Sequence, residues 1–128
     1  MTENSATIPR FVIQKHKATH LHFDFRLEMD GVLKSWAVPK GLPETHGIKR
    51  LAVAVEDHAL DYIDFEGVIP EGSYGAGEVE IWDNGKYEIE SREEGKVVFN
   101  LTGNKIKGRY ALIHTNEKNW LIFKLKNI

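Results

Sequence analysis

Apolar and polar residues alternate with a period of two along most of the chain, and no segment carries a sustained helical stripe. A strand turns successive side chains to opposite faces, so this spacing is that of sheet. It predicts strands over Arg10–Lys15, Leu21–Met29, Val32–Val38 and Leu51–Val55, then over Glu78–Trp82, Lys86–Glu90, Val97–Leu101, Arg109–His114 and Trp120–Leu125. Turn chemistry separates them. Asp30-Gly31 suits a two-residue type I′ hairpin, which needs positive φ at both central residues. Pro39-Lys40-Gly41-Leu42-Pro43 ends a strand, Asp83-Asn84-Gly85 reads as a turn, and Pro70–Gly77 is a glycine-rich loop. Asp57–Asp64 is polar and irregular, with room for a short helical turn. Many short strands at regular spacing predict a mainly-β, single-domain protein, a small antiparallel β-barrel or sandwich with short flanking helices or turns. Residues 1–9 read as a tail and residues 10–128 as the domain.

The second strand carries the chemistry. Leu21, Phe23, Phe25, Leu27 and Met29 fall on one face, and His22, Asp24, Arg26 and Glu28 on the other. His22 and Asp24 are two apart, with ~6–7 Å between Cα atoms, so one ion can take an imidazole nitrogen and a carboxylate oxygen. A third ligand has two nearby sources, His16 and His20. Three N/O ligands leave positions open for water or substrate, as a catalytic metal needs. Arg26 on the same face makes sense if an anion bridges guanidinium and cation, and phosphate is the natural bridge. Lys40, in the stiff loop between two prolines, offers another positive charge, although an exposed lysine is the ordinary reading. His58 and Tyr62, four residues apart beyond a strand end, offer hydrogen bonds to a phosphate oxygen. His46 and His114 lack such company and read as structural or surface residues. The glycine-rich loop lacks the Lys-Ser/Thr ending of a P-loop and runs into a strand, so tight turns and close packing explain it.

Composition narrows the setting. No cysteine is present among the 128 residues, which excludes disulfides and thiolate zinc sites. No basic stretch precedes an apolar run at the N-terminus, and no apolar segment approaches the ~18–20 residues of a membrane span, so a soluble cytoplasmic protein without a membrane partner is expected. The net charge of −2 does not by itself suggest a nucleic acid partner. Its distribution is uneven: residues 1–50 hold eight Lys/Arg against five Asp/Glu, residues 51–100 three against thirteen, and residues 101–128 six against one. A folded domain can place such blocks as a basic face beside an acidic one.

Read in order, Phe11–His16, Leu21-His22-Phe23-Asp24-Phe25-Arg26-Leu27-Glu28, Gly31–Gly41, Val55-Glu56-Asp57-His58, Leu60-Asp61-Tyr62, Phe65-Glu66-Gly67, Ile69–Gly72, Tyr74–Gly77 and Asn119–Ile122 resemble the 3′-phosphoesterase module of bacterial DNA ligase D and its stand-alone archaeal relatives. The resemblance runs from about residue 10 to the C-terminus. It implies a compact β-barrel and a manganese-dependent activity on 3′ ends of primer-template DNA or RNA. That activity is a phosphodiesterase on a terminal ribonucleotide and a phosphomonoesterase on the 3′-phosphate left behind, so that a 3′-hydroxyl results. It also implies His16, His22 and Asp24 as metal ligands, with Mn2+ the expected ion and Co2+ or Zn2+ compatible with the donors. Arg26 and His58 would contact the phosphate, with Gln14, Lys40 and Tyr62 beside them. Modules within ligase D carry a longer N-terminal arm, whereas about ten residues precede the first motif here, and an unfused module implies separate ligase and polymerase chains. Two other classes fit single features. A β-barrel non-haem iron oxygenase would use His22, Asp24 and a distal His58 or His114. A non-catalytic nucleic-acid-binding barrel would use Lys15, Lys17, Lys34, Lys40 and Arg50 with Trp36.

Overall fold

Nine strands and one 3-10 turn account for the computed structural model, which describes residues 8–126. They are β1 (Arg10–Lys17), β2 (Leu21–Met29), β3 (Val32–Val38), β4 (Lys49–His58), β5 (Gly67–Ile69), β6 (Gly77–Glu93), β7 (Lys96–Gly103), β8 (Lys107–Asn116) and β9 (Asn119–Lys124), with the 3-10 turn Leu60–Asp64 between β4 and β5. Eight of them run β1-β2-β3-β4-β9-β8-β7-β6 and close through an antiparallel β1–β6 ladder. The predicted antiparallel barrel is therefore what forms. The Asp30-Gly31 hairpin also appears as expected, with φ of 57° and 80°. Of the tail expected over residues 1–9, residues 1–7 lie outside the described residues. The Pro9 carbonyl already accepts a hydrogen bond from the Tyr87 N–H at 3.0 Å. No helix among the described residues is long and apolar enough to cross a membrane.

An eight-stranded barrel has an interior just wide enough for side chains to fill it. Here the filling is Phe11 and Ile13 of β1, Phe25 and Leu27 of β2, Trp36 and Val38 of β3, and Tyr87, Phe99, Tyr110, Leu112 and Ile122 from the far wall. Both buried phenols find acceptors: Tyr87 donates to the Glu28 carbonyl and Tyr110 to the Pro43 carbonyl. A second, smaller cluster of Val12, Leu33 and Ile63 lies on the opposite face of the same strands, under the 3-10 turn. Strands β1 to β3 are thus covered on both sides. The polar row of β2 is not a wet edge: Asp24 is 5% exposed and Arg26 4%.

Two expectations are corrected. Asp83-Asn84-Gly85 does not turn; it lies within the 17-residue strand β6. The Asp83 carboxylate, 3% exposed, accepts backbone N–H groups of Asn84, Asn104, Lys105 and Ile106, so the side chain that signals a local turn is spent clasping the distant β7–β8 connection. Gly85 lies opposite Gly103, and a Cβ there would run into the Thr102 carbonyl. The glycine permits strand contact and does not mark a bend. The ladder with β1 shifts between Ile13 and Gln14, where Trp82 is the unpaired residue, and beyond it β6 changes its outer partner from β5 to β7. The second correction is β5 itself, three residues that carry no readable period, and β4 continues through Asp57 and His58, which the sequence placed in irregular chain.

Asp83→Asn keeps the size of the side chain but replaces one acceptor oxygen with a donor facing buried N–H groups. It is expected to destabilise the protein by about 2 kcal/mol, read as a lower urea midpoint at unchanged slope. An unchanged midpoint would show that the clasp contributes nothing.

Candidate active site

The β1–β2 register sets His16 opposite His22 and Gln14 opposite Asp24, which gathers the donors of both strands on the outer barrel wall. Ligand-type atoms of His16, His22 and Asp24 all lie within 4.8 Å of one another. His16 Nδ1 is 3.4 Å from Asp24 Oδ2, and His22 Nε2 is 3.2 Å from Asp24 Oδ1. The remaining ring nitrogens face carbonyls: His16 Nε2 lies 3.0 Å from the Ala76 oxygen and His22 Nδ1 3.1 Å from the His20 oxygen. A carbonyl only accepts, so each of these nitrogens donates a proton. In the neutral rings this leaves Nδ1 of His16 and Nε2 of His22 as lone pairs on the carboxylate side, the outer-shell arrangement that orients metal-binding histidines; in a protonated His22 ring, Nε2 donates to Asp24 Oδ1. The donor set fits a divalent cation. His20 supplies its backbone carbonyl, and its side chain stands outside the group.

Arg26 is held from three strands. Its Nε donates to Gln14 Oε1 of β1 at 2.6 Å, its Nη1 to Ser35 Oγ of β3 at 2.8 Å, and its Nη2 lies 3.4 Å from Asp24 Oδ2. Gln14 in turn donates to the Tyr62 and Phe65 carbonyls at 3.2 and 3.3 Å, and the Ser35 hydroxyl to the Leu33 carbonyl. The guanidinium carbon lies 5.0 Å from the Tyr62 ring centre. Tyr62 is sandwiched in turn, stacked on His58 at 4.4 Å and on Phe65 at 4.9 Å.

These groups open on one cavity of about 530 Å³, lined by His16, His22, Asp24, Arg26, His58 and Tyr62 among others. Gln14 is fully buried beneath Arg26, outside the lining. Lys40 is exposed and also outside it; its carbonyl accepts from Arg50. His114 is remote from the cavity, where it packs on Trp120. The glycine-rich loop does more than its sequence suggested. Gly72 and Gly75 take positive φ, as tight turns require, yet Ser73 to Ala76 also form a cavity wall. Ser35 is a second residue that sequence reasoning passed over. Its signal is faint: a small hydroxyl between Lys34 and Trp36 on a mostly apolar strand.

Charge placement tunes the ionisable groups. The hydrogen bond to Asp24 outweighs burial and raises the His22 pKa above its usual 6.5. Burial pushes the Asp24 carboxyl up, but His22, Arg26 and His16 together hold it below the ordinary value. Burial lowers Arg26 somewhat and raises Tyr62. His58 is pushed below 6.5, first by burial and then by the nearby Arg26 charge. It is therefore neutral at pH 7.

Residues 14–114 match the model of the DNA ligase D 3′-phosphoesterase domain. The chain belongs to that family. Among curated relatives, the multifunctional non-homologous end joining DNA repair protein LigD of Mycobacterium tuberculosis H37Rv is 55% identical over 121 residues, covering 91% of this chain and 16% of that protein. The LigD proteins of Mycolicibacterium smegmatis and Pseudomonas aeruginosa PAO1 are each 50% identical, over 92% and 98% of this chain and 17% and 16% of theirs. The chain thus spans about a sixth of the length of these relatives.

An imidazole 13C/15N titration should place the His58 midpoint below 6.5 in the protein alone. Bound inorganic phosphate should move it upward, because an adjacent anion favours the charged ring. A midpoint that phosphate leaves in place would put His58 out of reach of the anion.

Proposed function

We propose that this domain is a metal-dependent 3′-end-processing phosphoesterase, with 3′-ribonucleoside phosphodiesterase and 3′-phosphomonoesterase activities that leave 3′-hydroxyl ends for DNA repair. The observation that carries this reading is the Asp24 carboxylate, shared between two oriented imidazoles and a guanidinium in one cavity. Membership of the phosphoesterase family supports it. His16, His22 and Asp24 would hold the cation, taken as Mn2+, with Co2+ and Zn2+ acceptable to the same donors. When bound, it supplies positive charge against the phosphate oxygens.

The protein's own residues do the rest. Arg26, immobilised by Gln14 and Ser35, presents its free N–H groups to a non-bridging oxygen and opposes the charge that builds as the phosphoryl group transfers. Because it is already in place, little reorganisation is needed at the transition state. Neutral His58 donates a hydrogen bond to the phosphate, and its pKa rises as the anion arrives, so it becomes competent to protonate the leaving oxygen. Tyr62 keeps both His58 and Arg26 at the cavity wall. Gln14 is a positioning residue, and Lys40, exposed beyond the wall, serves the approach of the charged strand. Ser35 is engaged with Arg26 and Leu33, and no cysteine is present, so water attacks phosphorus directly. Its oxygen bonds to phosphorus as the bond to the leaving oxygen breaks, P–O5′ of the terminal ribonucleoside in the diesterase step and P–O3′ in the monoesterase step, and a proton goes to the departing oxygen.

The partners on this reading are 3′ ends of primer-template DNA or RNA in the cytoplasm, and the ligase and polymerase steps that use the 3′-hydroxyl fall to other domains or to separate chains. An iron oxygenase could share two histidines and a carboxylate, but a guanidinium 3.4 Å from that carboxylate favours an anionic substrate. A pure binder has no use for buried, oriented imidazoles.

A 5′-labelled primer-template bearing a 3′-phosphate should lose it in the presence of Mn2+ and not in EDTA. Arg26→Ala should slow the release by at least ~100-fold, as the loss of one anion-stabilising donor does elsewhere. Near-normal turnover of a folded Arg26→Ala protein would overturn the assignment.

A further inference from the structure

The cavity is larger than a phosphate group alone requires. At about 530 Å³ it is in the range of sites that enclose a whole small ligand, roughly 300–1,000 Å³. Besides the groups already described, its wall includes Ala18, Thr19, Ile69 and the Ser73–Ala76 loop. Tyr74 in that loop lines the cavity and yet is 79% exposed, the most open large hydrophobic side chain among the described residues.

This exposure is built. The loop carries two consecutive turns, Ser73 N–H to the Pro70 carbonyl and Ala76 N–H to the Ser73 carbonyl, each 3.2 Å. Glycines at φ of 87° and 77° make those turns possible on either side of Tyr74. The Ala76 carbonyl then accepts from His16, which ties the loop to the proposed metal centre. Tyr62 is already stacked on His58 and on Phe65. Tyr74 presents an open π-face in the same cavity as Arg26.

We propose that Tyr74 is the stacking platform for the terminal nucleobase of the strand whose 3′ phosphate meets Arg26, which makes it a specificity-determining residue; this rests on the phosphoesterase reading above. The cavity then takes a 3′-terminal nucleotide as a unit, with phosphate on the strand wall and base on the loop wall. Stacking on an aromatic face is tolerant of base identity, so all four bases are held alike and an abasic end is held more weakly.

The test reads binding and turnover separately. Oligonucleotides with a 3′-phosphate on either a normal or an abasic terminal nucleotide are titrated against the protein without metal, then assayed with Mn2+. The wild-type protein should bind the base-bearing end on the order of tenfold more tightly than the abasic one. Tyr74→Ala should abolish that preference and raise KM about tenfold for the base-bearing substrate, with kcat within about twofold and no change on the abasic one. Tyr74→Phe should behave as the wild type. Equal affinity of the wild-type protein for both ends, or an equal loss on both in Tyr74→Ala, would overturn the stacking role. A base preference that disappears in Tyr74→Ala, without any release of phosphate by the wild type, would sustain the platform and overturn the catalytic reading instead.

Discussion

A carboxylate that is 5% exposed, facing two imidazoles and a guanidinium, is an expensive object to bury. Desolvating charges costs several kcal/mol per ion unless each finds well-placed partners. Asp24 and Arg26 meet that cost together, and the partners they recruit come from every element nearby: Gln14 of β1, Ser35 of β3, and the Tyr62 and Phe65 carbonyls of the segment that follows β4. The same bonds that make burial tolerable also remove the freedom of the guanidinium to swing. Positioning for catalysis and satisfaction of buried charge are one requirement here.

That requirement explains where the site sits. A barrel this narrow has its interior packed with side chains and has no room for substrate there. The chemistry is on the outside of the wall, where β1, β2 and β3 are rigid because they are packed from both faces. The chain between β4 and β6 leaves the barrel to build the cover: the 3-10 turn seals Val12 and Leu33, and the Ser73–Ala76 loop closes on His16. A solvated outer wall would screen the Asp24–Arg26 pair and weaken its hold on a ligand. The cover supplies the low-dielectric surroundings in which a few charges are effective.

Much of this was legible in the sequence, and the limits are physical. Period-two alternation identified the strands, and the ionisable row on β2 picked out the side chains that the structure gathers at one cavity, because both are local patterns. What escaped was decided by contacts far along the chain. Asp83-Asn84-Gly85 has turn composition, but the Asp83 side chain serves residues 104–106 and Gly85 serves Gly103, so tertiary use overrode local preference. The polar row was readable as ionisable but not as buried, since its cover arrives some 30 to 50 residues later. The glycine-rich loop was readable as turns but not as a cavity wall, because that depends on a carbonyl reaching His16 across 60 positions. Lys40, attractive as a cation in a stiff loop, falls outside the lining, and nothing in its neighbours' sequence reports that distance.

The charge balance of the cavity carries one more consequence. The Asp24 carboxylate and the Arg26 guanidinium carry opposite charges 3.4 Å apart and cancel, so that pair by itself is neither a strong cation trap nor a strong anion trap. A divalent cation arriving alone adds two positive charges near a buried guanidinium, and a phosphate arriving alone meets a buried carboxylate. Each ligand relieves the penalty of the other, and linkage makes that relief reciprocal. On the proposed reading, cation and phosphoryl group would therefore be held best together.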